Sequence, residues 1–258
     1  MENIQLDVDD QGTALLTLNR PDVLNVLNAA LIEEVSAVLG ELAADERVRA
    51  LVLTGSGRGF CAGADLGSIG QGGASGESIG EMVASLMQSH FNPMMEHLYH
   101  FPRPVVCAVN GIAAGGGAAL ALCGDIVLAS QDAGLKFVQV QQLGIVADLG
   151  ANWLLPRIAG RARALGACLL GDTLKAAQLQ EWGLVWECLE PTDLLPRAKE
   201  IALRLGQVPS ETVVATRTLV DAATQQPFPA VLERERLAQG ELCDLPVFSE
   251  SVARFFSK

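Results

Sequence analysis

Residues 110–125 read NGIAAGGGAALALCGD, and the reading of this stretch decides the fold. It follows Val105-Val106-Cys107-Ala108-Val109, an apolar run that predicts a buried strand. Three consecutive glycines, Gly115, Gly116 and Gly117, then open a run of Ala and Leu that predicts a buried helix. Glycine accepts backbone angles that other residues avoid and lets another group approach the chain closely. The first N–H groups of a helix lack intrahelical partners. Such a corner suits an oxygen that carries or develops negative charge. It also suits close packing of a helix on a strand, and taken alone the glycines read first as packing.

Upstream, residues 4–8 and 14–18 alternate apolar and polar side chains around the turn signal Asp9-Asp10-Gln11-Gly12, which predicts a β-hairpin. Asn28 is placed to cap a helix in which Leu31, Val35, Val38 and Leu42 share one face. An apolar strand over 50–54 follows, so this strand–helix–strand order implies a parallel pair with a right-handed crossover. Residues 67–80, rich in Gly and Ser without periodicity, read as a mobile loop. They lack the Gly-Lys-Ser/Thr ending of a phosphate-cradling loop. A helix is expected over 79–100. Downstream, 126–129 reads as a strand, 135–143 as extended, and 151–158 and 161–170 as helices. Thr173 reads as the cap of a helix over 176–182, and 184–189 as a late strand. From Asp193 onward the pattern is helical, broken at Pro209, Pro227 and Pro246. The chain is therefore mixed α/β to about residue 190 and helical beyond.

Half of the 258 residues are apolar and 26 are glycine, enough for one large domain with a sizeable core. The net charge of −12 argues against holding nucleic acid or an anionic membrane by bulk electrostatics. The cysteines at 61, 107, 123, 168, 188 and 243 form no CxxC pair and read as free, mostly buried thiols. No apolar signal segment opens the sequence and no apolar run reaches the length of a membrane span. A reduced, cytoplasmic protein is the expectation.

Three segments carry a family resemblance. Leu18-Asn19-Arg20-Pro21 is followed by Leu24-Asn25, GRGFCAGADL occupies 57–66, and VNGIAAGGGAALALCGDI occupies 109–126. In this order and spacing they closely resemble the crotonase (enoyl-CoA hydratase/isomerase) family over essentially the whole chain. Within it, LGIVADLGANWLLPRIAGRARALG at 143–166 and Glu181-Trp182-Gly183-Leu184-Val185 look most like the epoxyphenylacetyl-CoA isomerase branch of phenylacetate catabolism. The resemblance implies an α/β spiral, or superhelix, of stacked ββα turns over 1–190, with a C-terminal helical trimerisation region over 191–258. It implies an acyl-CoA thioester as substrate, with coenzyme A as its carrier and no further cofactor or metal, and a homotrimer or hexamer. It implies that the N–H groups of Ala64 and Gly116 grip the thioester oxygen. It also implies that Ala62, Asp65 and Leu66 line the path of adenine and pantetheine, with Gly115 and Val140 bordering the substrate.

Chemistry beside a thioester builds negative charge on the carbonyl oxygen, and removing one preorganised donor to such an oxygen costs about 3–4 kcal/mol. The hydratases of the family use two glutamates. Their positions here are Ala119 and Val140, and the neighbours Gln139, Gln141 and Gln142 are not acids either. Adding water needs one group to activate it and another to deliver a proton. One carboxylate stands at a catalytic position of related isomerases, Asp148. Ile145, Val146, Ala147, Leu149 and Trp153 are expected to desolvate it and raise its pKa, against the pull of the following helix start. An N-cap is the competing reading of Asp148. His90, His97 and His100 share roughly one helical face, at spacings that match no recognised metal set, and read as solvated or half-buried helix residues. Cys61 reads as packing, and Arg58 either meets a CoA phosphate or is solvated.

The leading expectation is an acyl-CoA isomerase that shifts a double bond or rearranges a ring through an enolate, with Asp148 as acid and base. The alternatives are an enoyl-CoA hydratase, an aryl-CoA dehalogenase-like hydrolase using Asp148 as nucleophile, and a non-catalytic acyl-CoA binder.

Overall fold

The computed structural model describes residues 1–69 and 78–257. The chain opens with the expected hairpin, β1 (Ile4–Val8) and β2 (Thr13–Leu18), paired antiparallel from Ile4↔Leu18 to Val8↔Ala14. The Asp9 carboxylate accepts the N–H groups of Gln11 and Thr13 at 3.0 and 2.8 Å and pins the turn. In α1 (Ala29–Ala44), Asn28 Oδ1 accepts the Leu31 N–H at 2.9 Å, and Leu31, Val35, Val38 and Leu42 are buried, as the periodicity predicts.

The chain then lays one strand in each of two sheets on every pass. β3 (Ala50–Gly55) leads to β4 (Gly59–Cys61). β5 (Val105–Val109) leads to β6 (Ile112–Ala114) and α5 (Gly116–Ala121). β7 (Ile126–Ser130) leads to β8 (Gly134–Lys136). Between the first two passes stand α2 (Leu66–Ile69), α3 (Ile79–Leu86) and α4 (Asn92–Tyr99). After the third come α6 (Ala151–Ala159), α7 (Arg161–Leu170), β9 (Leu174–Lys175), α8 (Ala176–Glu181), β10 (Glu187–Leu189), α9 (Pro191–Leu205), α10 (Ser210–Ala223), α11 (Phe228–Cys243) and α12 (Pro246–Phe256). The large sheet runs β1-β2-β3-β5-β7-β10, parallel except at β1, and the small one runs β4-β6-β8-β9. This is the ββα spiral with a helical C-terminus.

The inner strands are apolar throughout because both faces of the large sheet are covered. Leu51, Leu53, Val105, Cys107 and Val109 face the main core. Ala50, Val52, Val106, Ala108 and Leu128 face α9, through Leu194, Ala198, Ile201 and Ala202. Each such Leu or Val buried contributes about 1.5–3 kcal/mol.

Several elements differ from expectation. The extended stretch expected over 135–143 ends at Lys136, and Gln139–Leu143 forms a π-helical turn. The last pairing is Ala114↔Lys136, because β6 turns at Gly115 into α5 and leaves no strand to pair further. Val138 and Val140 between glutamines imitate a strand only in period. The helix expected over 79–100 carries a π turn at Met87–Phe91, just ahead of Pro93, whose ring cannot follow regular α bonding. Thr173 caps nothing: Leu174 and Lys175 pair with Leu135 and Gly134, and α8 starts without a side-chain cap. The late strand is only Glu187–Leu189. Of the expected loop, residues 67–69 and 79–80 belong to α2 and α3, and 70–77 lie outside the described residues.

The start of α5 lies against β4 of the small sheet. A Cβ on Gly117 would stand 2.0 Å from the Cys61 carbonyl oxygen, and the Cys61 carbon would be 2.7 Å away. Backbone cannot swing aside as a side chain can. Gly117→Ala should therefore destabilise the chain by about 3 kcal/mol or more. Gly40→Ala, exposed within α1 with nothing inside 4 Å of the new methyl, should gain about 1 kcal/mol. Thermal or denaturant unfolding of the two variants checks the pair.

Candidate active site

The site grows from the corner between β6 and α5. Gly115 turns the chain at φ 54° and ψ −126°, and its N–H is held by the Lys136 carbonyl at 2.8 Å. Beside it runs the segment after β4. The Leu27 N–H donates to Gly63 O at 2.8 Å, and the Asp65 N–H donates to Leu27 O at 3.0 Å. In this parallel bridge the N–H of Ala64 itself points to the other side of the chain. The Gly116 nitrogen lies 3.2 Å from where a Cβ on Gly63 would stand. The segments that carry Ala64 and Gly116 are thus in direct contact, brought together from positions remote in sequence.

Asp148 arrives from the third pass. Leu149 and Gly150 take left-handed backbone at φ 50° and 87°, a tight corner that leads into α6. It sets Leu149 on the glycine corner: a Cβ on Gly116 would stand 2.5 Å from Leu149 Cδ1 and 3.6 Å from Asp148 Oδ1. The same oxygen accepts a hydrogen bond from Gln139 Nε2 at 2.9 Å. Asp148 does not act as the N-cap. That position is Gly150, no side chain caps the helix, and only the Asp148 carbonyl is used, by the Ala151 N–H at 2.9 Å. Burial pushes the Asp148 carboxyl above the ordinary carboxylate range, opposed by the Gln139 bond and by its own N–H. The desolvation comes from fewer neighbours than expected. Ala147 and Leu149 are buried, whereas Ile145 and Val146 are exposed.

A cavity of about 520 Å³ adjoins this corner, lined by Met95, Tyr99, Cys123, Leu149, Trp153 and Asp221 among others. Tyr99 and Trp153 meet edge to face with centroids 5.4 Å apart. The Tyr99 hydroxyl donates to Asp221 Oδ2 at 2.5 Å, and burial with that carboxylate raises the phenol. Asp221 belongs to α10, so that helix completes the cavity. Arg217 fastens α10 in place. It donates twice to Asp125, at 2.8 Å each, and to the carbonyls of Tyr99 and Phe101 at 3.1 and 2.8 Å.

The remaining expected residues lie on several elements around this corner. Ala62 donates its N–H to Leu24 O at 2.9 Å. Asp65 accepts the Gly67 N–H at 3.2 Å, with Arg20 Nη1 3.9 Å away, and Leu66 is exposed at the start of α2. Val140 packs against the core, and Gln139, one residue earlier, meets the carboxylate. The composition around residues 139–142 held no signal that would single out Gln139, because its contact follows from the π turn. Cys61 is buried and its thiol is pushed up to about 12, consistent with packing. His90 lies 3.4 Å from Glu33 and 2.6 Å from Ser89, and His100 meets the edge of Tyr99. Among the described residues no three His, Cys, Asp or Glu side chains are grouped to hold a metal ion, and no helix is long and apolar enough to cross a membrane.

Comparison with known proteins agrees with this architecture. The family model "Enoyl-CoA hydratase/isomerase" matches residues 9–258. The chain is 38% identical to the 1,2-epoxyphenylacetyl-CoA isomerase of Escherichia coli, over 96% of this chain and 94% of that one. It is 39% identical to a Rhodobacter capsulatus protein named "Probable enoyl-CoA hydratase", over 96% and 93%. The solved enoyl-CoA hydratase of Bacillus anthracis superposes with a TM-score of 0.91 at 28% identity, covering 99% of this chain and 96% of that one. With its spiral of ββα turns and its glycine corner, this chain belongs to the enoyl-CoA hydratase/isomerase family.

Proposed function

We propose that the chain is an acyl-CoA isomerase that moves a proton along a CoA thioester, shifting a double bond or rearranging a ring through an enolate. The observation that carries this reading is the half-buried carboxylate of Asp148 beside the Gly115–Gly116 corner, without an acid at the two hydratase positions. Ala119 is fully buried in α5 and Val140, half-buried, packs against the core. The N–H groups of Ala64 and Gly116 stabilise the developing oxyanion. Asp148 removes the proton beside the thioester and returns it further along the acyl chain. The cavity edged by Tyr99 and Trp153 takes the acyl group, and its aromatic lining favours a ring. Ala62, Asp65, Leu66, Gly115 and Val140 flank the CoA path and the acyl mouth, and coenzyme A is the carrier with no further cofactor. A homotrimer or hexamer belongs to the same proposal, with exposed Phe228, Phe255 and Phe256 on α11 and α12 as apolar surface that association would cover. Hydration remains the second reading, on the strength of the hydratase-named relatives.

Isomerisation of a β,γ-unsaturated acyl-CoA in heavy water should place deuterium in the acyl chain. Asp148→Asn should lower kcat by about 10²–10⁴-fold while the protein still binds the thioester. Full isomerase activity in that variant would remove Asp148 from the mechanism.

The raised pKa of Asp148 also has a consequence for stability. A carboxyl raised by folding contributes stability that is fully present below its unfolded pKa and is lost as pH rises through the folded one. Asp148→Asn should therefore unfold at a higher temperature than the parent at neutral pH, with the difference closing in acid. Thermal scans across pH read this directly, and a lower midpoint at neutral pH would contradict it.

A further inference from the structure

The proposed chemistry leaves Gln139 without a task, and folding alone explains its placement poorly. The residue is 3% exposed. Its Nε2 donates to Asp148 Oδ1 at 2.9 Å, while its Oε1 is buried without a hydrogen-bond partner. A buried amide oxygen without a donor is costly, and an apolar side chain of similar volume would fill the space without that cost. The surroundings are nevertheless fitted to the amide. Gln139 is the first residue of the π turn, and its carbonyl accepts the Ile145 N–H at 3.2 Å, which ties it to the segment that leads to Asp148. Gln139 Nε2 lies 3.5 Å from the place a Cβ on Gly115 would occupy, so the bare glycine leaves room for it.

Among the described residues no other side chain is hydrogen-bonded to the Asp148 carboxylate. From the π turn Asp148 meets Gln139, and from α5 it meets the uncharged Gly116. Its ionisation is set by burial, by Gln139 and by its own N–H, and among the described residues no charged side chain adds to these.

We propose that Gln139 is the positioning residue that holds Asp148 through both halves of its proton transfer. With Asp148 ionised, the amide N–H donates to the carboxylate and fixes its rotamer. Once Asp148 has taken the proton from substrate carbon, the amide turns and offers Oε1 to the new carboxyl O–H. Only hydrogen bonds to Gln139 change, and the proton passes between carbon and Asp148. The inference rests on Asp148 being the acid/base.

The test compares Gln139→Met, Gln139→Glu and Asp148→Asn in the isomerisation of β,γ-hexenoyl-CoA across pH, with binding of saturated hexanoyl-CoA measured alongside. Without the amide donor, ionised Asp148 loses a charge-assisted bond, which is stronger than the neutral bond its protonated form loses. The acid limb of the kcat/KM profile in Gln139→Met should move up by about one pH unit, with hexanoyl-CoA affinity unchanged. Gln139→Glu sets a second carboxylate against Asp148 and should move the limb at least as far. Being nearly isosteric, it carries the test if Gln139→Met does not fold. An unmoved acid limb in these variants, with Asp148→Asn inactive, overturns the role of Gln139 alone. A fully active Asp148→Asn overturns the reading beneath it.

Discussion

The molecule depends on one approach of backbone to backbone, the Cys61 carbonyl lying against Gly117 at the start of α5. The contact joins the first and second passes of the spiral at the place where the small sheet gives way to a helix. It brings the chain after β4 beside the glycine corner, so the segments that carry Ala64 and Gly116 come from different passes and touch. The third pass then adds Leu149 and Asp148 over the same corner, and the left-handed turn at Leu149 and Gly150 aims them. Each pass thus supplies one component, and the regular spacing of the spiral sets the distances between them.

Partly burying the Asp148 carboxylate works against stability, and a hydrogen bond offsets part of that. Gln139 gives Asp148 that bond from a side chain that is itself buried. Arg217 gathers Asp125 and the carbonyls at the end of α4, which fixes α10 and through it Asp221 and the Tyr99 ring. The cavity edged by Tyr99 and Trp153 therefore has a wall that is tied to the core by a forked guanidinium, a geometry suited to holding several acceptors at once.

The sequence disclosed what is local. The hairpin, the Asn28 cap, the apolar face of α1 and the strands of the large sheet all follow from periodicity and capping. The glycine corner and Asp148 were legible as residues through their place in a family pattern, though their mutual contact was not. Non-local structure stayed hidden. β4, β6, β8 and β9 are two or three residues long and exist because passes of the spiral stack, so no window of sequence marks them. The π turn at Gln139–Leu143 has the alternation of a strand, and it forms because β6 ends at Ala114 and leaves Phe137 onward unpaired. The contact of Gln139 with Asp148 is a product of that turn. The expected shell of apolar neighbours around Asp148 erred in the same way, since Ile145 and Val146 lie on the outward side of a turn whose direction only the tertiary fold sets.

The central claim is that one carboxylate, opposite two backbone donors, moves a proton along a thioester without adding water. A single turnover of a β,γ-enoyl-CoA deuterated at the α carbon, run in water enriched in heavy oxygen, tests it most directly. The account predicts an α,β-unsaturated product with part of the deuterium carried to the γ carbon and no oxygen from water. A β-hydroxyacyl product carrying the heavy oxygen, formed as fast as any isomer, would contradict it.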